Sequence, residues 1–305
     1  MNDTDWQILI KPRRLAAVLG EPADTRIVDC RFDLADPEAG RRTWRERRIP
    51  GAVHADLERD LSGVVTSRTG RHPLPDPARF VAWLGQSGIA RTTRVACYDA
   101  GPGMFAARLW WLLRHWLGHG PVAVLDGGFA AWLAEDLPVE QGVPATPPAA
   151  SYPDVVPRDV AVDAAAIAEG GLRVIDARAA ARFRGDEEPL DSVAGHVPGA
   201  ENRPFTENID AHGRWRSPAA LRADWEALLG PAPRDRVVHM CGSGVTACHN
   251  LLAMERAGLA GSRLYPGSWS EWIRDPRHPV EQGAGRRDRR EPPSSNLCQG
   301  TPGEV

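Results

Sequence analysis

The sequence predicts an α/β protein of two similar domains, each built on a parallel sheet covered by helices on both faces. Three observations carry that prediction. The chain has 305 residues, more than one typical domain of ~100 to 200 residues, and enough for two cores. It repeats itself: Ile27-Val28-Asp29-Cys30-Arg31 recurs as Val174-Ile175-Asp176-Ala177-Arg178, Ile49-Pro50-Gly51-Ala52 as Val197-Pro198-Gly199-Ala200, and Leu125-Asp126-Gly127-Gly128-Phe129 as Tyr265-Pro266-Gly267-Ser268-Trp269. These recurrences lie 147, 148 and 140 residues apart (174 − 27, 197 − 49, 265 − 125), so a whole domain is duplicated, not a short solenoid unit. Third, short β-branched runs alternate with longer helical patterns, the signature of βαβ units.

In chain order, residues 1–140 form the first domain, with strands predicted over 95–98 and 122–125 around a helix over 106–113. Residues 141–157 hold Pro144, Pro147, Pro148, Pro153 and Pro157 among small residues and read as an extended linker. The second domain covers 158–282, with a strand over 237–240 and a helix over 247–257 ended by Gly258. Residues 283–305 are charged, then rich in Pro, Ser and Gly, and read as a disordered tail holding Cys298 as a bystander.

The chemistry centres on Cys241-Gly242-Ser243-Gly244-Val245-Thr246. A cysteine stands where a strand ends and a Gly-rich turn opens into a helix. In an α/β sheet, ligands gather at this end of the strands. Converging backbone N–H groups and the positive end of the helix there favour a thiolate nucleophile. Overlaying the two copies puts Asp99 of the first at the position of Cys241, so the first domain should lack the nucleophile.

Composition narrows the rest. A net charge of −3 with 37 Lys and Arg against 40 Asp and Glu gives no nucleic-acid footprint. No apolar run approaches the ~18 residues of a membrane span, and the start has no basic and apolar leader, so the expectation is a cytoplasmic protein. Five scattered cysteines do not suggest a disulfide framework. His239, Cys241, Cys248 and His249 are potential ligands, but adjacent helix positions point about 100° apart, so a zinc site is not expected. No cofactor is implied. Cys248 reads as a buried helix residue, with a resolving thiol as the alternative.

Taken together with Tyr98-Asp99, Arg108-Leu109-Trp110-Trp111 and Gly195-His196-Val197-Pro198-Gly199-Ala200, these motifs resemble the tandem-domain sulfurtransferases of the rhodanese superfamily, which comprise thiosulfate and 3-mercaptopyruvate sulfurtransferases. The resemblance covers about residues 5–282. It implies two rhodanese-like domains, each a doubly wound, mostly parallel sheet, with the active site in the cleft between them. It also implies that Cys241 takes a sulfur atom from a small anionic donor as a persulfide and passes it to cyanide or a thiol, such as a small thiol or a thioredoxin-like protein. Arg182 and Arg178 fall in the stretch where the family binds substrate, although ion pairs with Asp176 or Asp186-Glu187-Glu188 would also account for them. Gly242 and Ser243 match the mercaptopyruvate pattern and not the Cys-Arg-Lys pattern of thiosulfate enzymes. In two places the chain departs from it: Glu188-Pro189-Leu190-Asp191 stands where a second arginine is expected, and Arg48 where a histidine is expected, so Arg48 is a candidate for the missing positive charge. A non-turnover persulfide carrier or redox-sensing module is the reading from another class. Cysteine phosphatase chemistry needs an arginine at the end of the loop, and Ala247 stands there.

Overall fold

The computed structural model describes residue 6 and residues 8–19, 25–143 and 145–285. The expected tail, with Cys298, therefore falls almost wholly outside the described residues.

The first domain runs β1 (Leu9–Ile10), α1 (Pro12–Ala16), β2 (Thr25–Asp29), α2 (Ala39–Glu46), β3 (Val53–His54), α3 (Pro77–Gln86), β4 (Arg94–Tyr98), α4 (Ala106–Trp111), β5 (Val122–Leu125) and α5 (Gly128–Ala134). The second runs α6 (Ala164–Ala168), β6 (Arg173–Asp176), α7 (Ala180–Arg184), β7 (Glu201–Asn202), α8 (Pro218–Leu229), β8 (Val237–Met240), α9 (Thr246–Arg256), β9 (Arg263–Leu264) and α10 (Ser268–Trp272). The strands order as β1-β5-β4-β2-β3 and β7-β6-β8-β9, with every strand pairing parallel. Central strands such as β4 and β8 are buried along almost their whole length because helices cover both their faces. The helix expected over 106–113 runs as α4 to Trp111 and then widens into a π-helical stretch, Leu112–Trp116.

The register shows how closely the copies correspond. Asp29 pairs with Tyr98, and Asp176 pairs with Met240, so the next residues, Asp99 and Cys241, occupy equivalent sites. Equivalent hydrogen bonds follow. Phe129 N–H donates to the Asp99 carbonyl and Ala130 to Ala100, as Trp269 donates to Cys241 and Ser270 to Gly242.

The cores are aromatic: Trp6, Trp110, Trp111, Trp132, Trp225, Trp269 and Trp272 are fully buried. One apolar cluster runs across both domains, from Trp110 and Leu113 on one side to Leu252 and Met254 on the other. Helices α4 and α9 pack together, and because each follows its domain's nucleophile-position loop, their contact brings the two loops to one cleft. Residues 145–157 run along the first domain without helix or strand; Ala150 N–H donates to Gly85, and the buried Tyr152 hydroxyl meets His119.

Candidate active site

Cys241 lies at the carboxyl end of β8, nearly buried, and opens onto a cavity of about 220 Å³ between the domains. The second domain lines it with Arg178, Arg182 and the whole loop from Cys241 to Thr246 except Gly244, and the first domain contributes Arg71, His72 and Phe105. The loop is tied down by its carbonyls and by the Cys241 N–H, which Ser268 Oγ accepts at 3.1 Å. The N–H groups of Gly242, Ser243, Gly244, Val245 and Thr246 are given to no protein acceptor among the described residues. They are left free along the loop that begins at the thiol, and a run of free N–H groups of this kind is what holding an anionic sulfur would need. Gly244, with φ +76°, is required here: a side chain there would be both conformationally strained and driven into the Pro266 carbonyl.

The first domain shows what such a loop can hold. Asp99, in the place of Cys241, puts its own carboxylate into its loop. Oδ1 accepts from Gly101 and Gly103 at 3.1 and 3.0 Å, and Oδ2 from Phe105 and Ala106 at 2.9 and 3.3 Å. That loop is an anion nest already filled by the chain itself, and desolvation still raises the Asp99 pKa despite the four donors.

Ser243 turns its hydroxyl to the first domain, where Oγ lies 2.8 Å from His72 Nδ1. Burial, followed by the nearby charges of Arg108 and Arg71, pushes the His72 pKa down to about 3, so the imidazole is neutral. Arg108, fully buried on α4, ties the two sides together. Its Nη1 donates to the Gly244 carbonyl at 3.1 Å, and its Nη2 to the carbonyls of His72 and Pro73 at 3.2 and 3.3 Å.

Arg182 and Arg71 converge over Gly242. A Cβ added there would lie 2.9 Å from Arg71 Nη2 and 3.5 Å from Arg182 Nη1. Arg182 grips Glu188 with Nε and Nη2 (3.1 and 2.7 Å) and also reaches Asp191 at 3.1 Å; Arg71 pairs with the other oxygen of Asp191. Arg71 and His72 are the site residues the sequence reading missed. The available signal was a cationic and imidazole pair between Gly70 and Pro73 in a polar loop.

Of the other two expected substrate residues, Arg178 reaches the cavity and Arg48 does not. Arg178 lines the cavity, but its guanidinium is held by Asp176 through Nε and Nη2 (3.0 and 2.7 Å), by Glu188 and by the Gly195 carbonyl. In the first domain, where Asp99 stands at the Cys241 position, Arg31 makes the same pair with Asp29 (2.9 and 2.6 Å). The pair thus belongs to the fold. Arg48 is absent from the cavity. It is buried against the Gly142 carbonyl (2.9 Å) and Glu140, whose carboxylate also accepts the Gly51 N–H. Its second-domain counterpart, His196, faces Glu281 at 3.7 Å, and Glu281 accepts the Gly199 N–H. Both are clips that fasten the end of a domain to its Pro-Gly turn.

The thiol of Cys248 donates to the Gly244 carbonyl at 3.3 Å, and burial pushes its pKa up to about 12, which does not suit a resolving thiol. His239 is turned to Met254 Sδ and His249 to Asn208 and the Pro102 carbonyl, so their rings face different neighbours.

Comparison with known proteins agrees with this geometry. Residues 12–135 and 161–275 each match the rhodanese-like domain. A Pseudomonas aeruginosa protein named "Probable 3-mercaptopyruvate sulfurtransferase" is 50% identical over 280 residues, covering 90% of this chain and 98% of that one. The rat thiosulfate sulfurtransferase is 31% identical, covering 92% and 90%. The solved 3-mercaptopyruvate sulfurtransferase of Leishmania major superposes with a TM-score of 0.77 at 33% identity, covering 87% of this chain and 74% of that one.

Proposed function

The chain belongs to the rhodanese-like family and is a sulfurtransferase, and from that premise we propose that it moves sulfur from 3-mercaptopyruvate to a thiol or cyanide through a persulfide on Cys241. The single observation that carries the donor is the Ser243 hydroxyl, 2.8 Å from a neutral His72. The Cys241 thiolate attacks the donor sulfur, the carbon–sulfur bond breaks, and its electron pair moves onto the carbonyl to give the enolate of pyruvate. Ser243, placed one residue from Gly242 on the cavity wall, is the donor for that developing oxyanion. His72 holds the hydroxyl and serves as its proton relay, and the enolate takes a proton to leave as pyruvate. Arg71 and Arg182 over Gly242 bind the carboxylate. The persulfide's outer sulfur then rests among the free N–H groups of residues 242–246 until an acceptor thiolate or cyanide attacks it and releases the Cys241 thiolate.

A reducing compartment such as the cytoplasm fits this reading, because Cys30, Cys97, Cys241 and Cys248 are all free. Among the described residues no helix is long and apolar enough to cross a membrane. As acceptor the same proposal takes a small thiol or a thioredoxin-like protein. Thiosulfate as donor is the second reading, favoured by the two arginines at the cavity mouth. The test is steady-state turnover with each donor, with cyanide as common acceptor. Clear turnover of 3-mercaptopyruvate, faster than that of thiosulfate, is expected. Faster thiosulfate turnover would transfer the assignment, and one sulfur atom loaded without turnover would make the protein a carrier.

A further inference from the structure

Six charged side chains run without a break from the second sheet into the first domain. Asp176 pairs with Arg178 at 2.7 Å, Arg178 with Glu188 at 3.4 Å, Glu188 with Arg182 at 2.7 Å, and Arg182 with Asp191 at 3.1 Å; Asp191 then pairs with Arg71. The chain alternates in sign and its formal charges cancel, three against three. All three arginines line the donor cavity. The side chain of Asp191 is only 5% exposed, and its two oxygens are divided between the two guanidiniums that meet over Gly242. Asp191 does not line the cavity itself; it lies behind the two arginines that do, buried and held by both, and is not a surface carboxylate.

We infer that Asp191 sets the charge selectivity of the donor site, matching it to a monoanionic carboxylate and against a dianionic donor. The inference rests on the sulfurtransferase reading above. The other two carboxylates of the network cannot take this part, because Asp176 is spent on Arg178 and Glu188 on the fork of Arg182. Within the network, Asp191 alone offsets Arg71. With its charge in place the network is neutral, and a second negative charge on the donor gains little in return for its lost hydration. Without that charge the network carries one net positive charge, which acts twice as strongly on a dianion as on a monoanion.

The test is Asp191→Asn, which keeps the shape and removes the charge. Two ratios are read: kcat/KM for thiosulfate over 3-mercaptopyruvate, and the competitive inhibition constants of sulfate against pyruvate. Both should move toward the dianion by about tenfold, the discount from the bare Coulomb effect reflecting screening at an open cavity. Arg71→Gln, which leaves the network with a net negative charge, should move both ratios the other way. That second variant keeps the inference open to test if Asp191→Asn fails to fold. Movement of less than about threefold in either variant, where RT ln 3 is within ordinary packing effects, overturns the inference. Failure of the donor reading would be seen separately, as absent 3-mercaptopyruvate turnover in the wild type, and the inhibitor ratio would still judge Asp191.

Discussion

Replacing Arg182 with alanine tests the donor grip most directly, because its consequences can be counted. Two losses add. The donor carboxylate loses charge-assisted hydrogen bonds worth roughly 1.5 to 3 kcal/mol. In addition Glu188 and Asp191, which Arg182 now bridges, keep their charges, so three carboxylates face two guanidiniums. One uncompensated negative charge about 6 Å from the donor at an effective dielectric near 20 costs about 3 kcal/mol, and about half that beside an open cavity. The sum, about 3 to 4.5 kcal/mol, corresponds to a fall in kcat/KM of roughly 150- to 2,000-fold. Most of it should appear in KM, since the carboxylate does not change charge as the carbon–sulfur bond breaks. Arg182→Lys restores the charge without the fork and should recover all but about ten- to thirtyfold. The assay is steady-state turnover of 3-mercaptopyruvate with cyanide, beside thermal unfolding of each variant. If Arg182→Ala kept its kcat/KM and lost only stability, Arg182 would be a structural link in the ion chain and the carboxylate would bind elsewhere.

Three further outcomes follow from the site. After treatment with donor, intact-mass spectrometry should show one added sulfur atom on the peptide holding Cys241, and Cys241→Ser should abolish both loading and turnover; loading that persists in Cys241→Ser would move the nucleophile elsewhere. Ser243→Ala should lower turnover of 3-mercaptopyruvate by about a hundredfold or more, the usual loss of one oxyanion donor, while sparing thiosulfate, whose cleavage forms no enolate; equal losses on both donors would deny Ser243 the carbonyl. Burial holds the His72 pKa at about 3 in the fold against about 6.5 unfolded. Between those values only the unfolded chain takes the proton, so stability falls with falling pH by about 1.4 kcal/mol per unit for this group. His72→Gln should lack that share, and the stability gap between it and the wild type should shift by this slope between pH 6 and 4.5. A gap independent of pH would mean that His72 is charged in the fold.

The duplication was legible because its evidence is local: strand runs, Pro-Gly turns and a Gly127-Gly128 turn answered by Gly267-Ser268, recurring 140 to 148 residues apart. The alignment of Asp99 with Cys241 needed only that spacing, and the strand register bears it out. Arg71 and His72 could be seen as a cationic and imidazole pair but not assigned to this cavity, since His72 and Ser243 are 171 residues apart and no periodicity links a loop of one domain to the Cys241 loop of the other. Arg178 and Arg48 show the opposite case. Each sits at a place where a site residue is plausible, and each is occupied by the fold. The sequence did contain the correction, because Asp29-Cys30-Arg31 repeats the Asp176-Ala177-Arg178 pair in the domain where Asp99 stands at the Cys241 position. A motif kept in both copies speaks for the fold, and one found in a single copy speaks for the site.

That distinction also explains why the chain needs two domains for one nucleophile. Each domain sends a loop over the other. From the first, Gly70 lies against Gly267 and the Arg71 N–H donates to Ser270 Oγ, beside the Cys241 loop. From the second, the Trp215 N–H donates to Asp126 and Arg214 to the Asp126 carbonyl, with the Trp215 ring near Gly103 of the Asp99 loop. The exchange is nearly symmetric in position and opposite in chemistry. Over the filled nest lies a tryptophan, stacked on His249 at 3.9 Å, and no cavity comparable to the nucleophile's is needed there. Over the open nest lie a guanidinium and an imidazole. Neither domain alone lines the Cys241 cavity, so separating the halves would leave the second domain with Cys241 and Arg182 but without Arg71, His72 or the Arg108 tie to the Gly244 carbonyl.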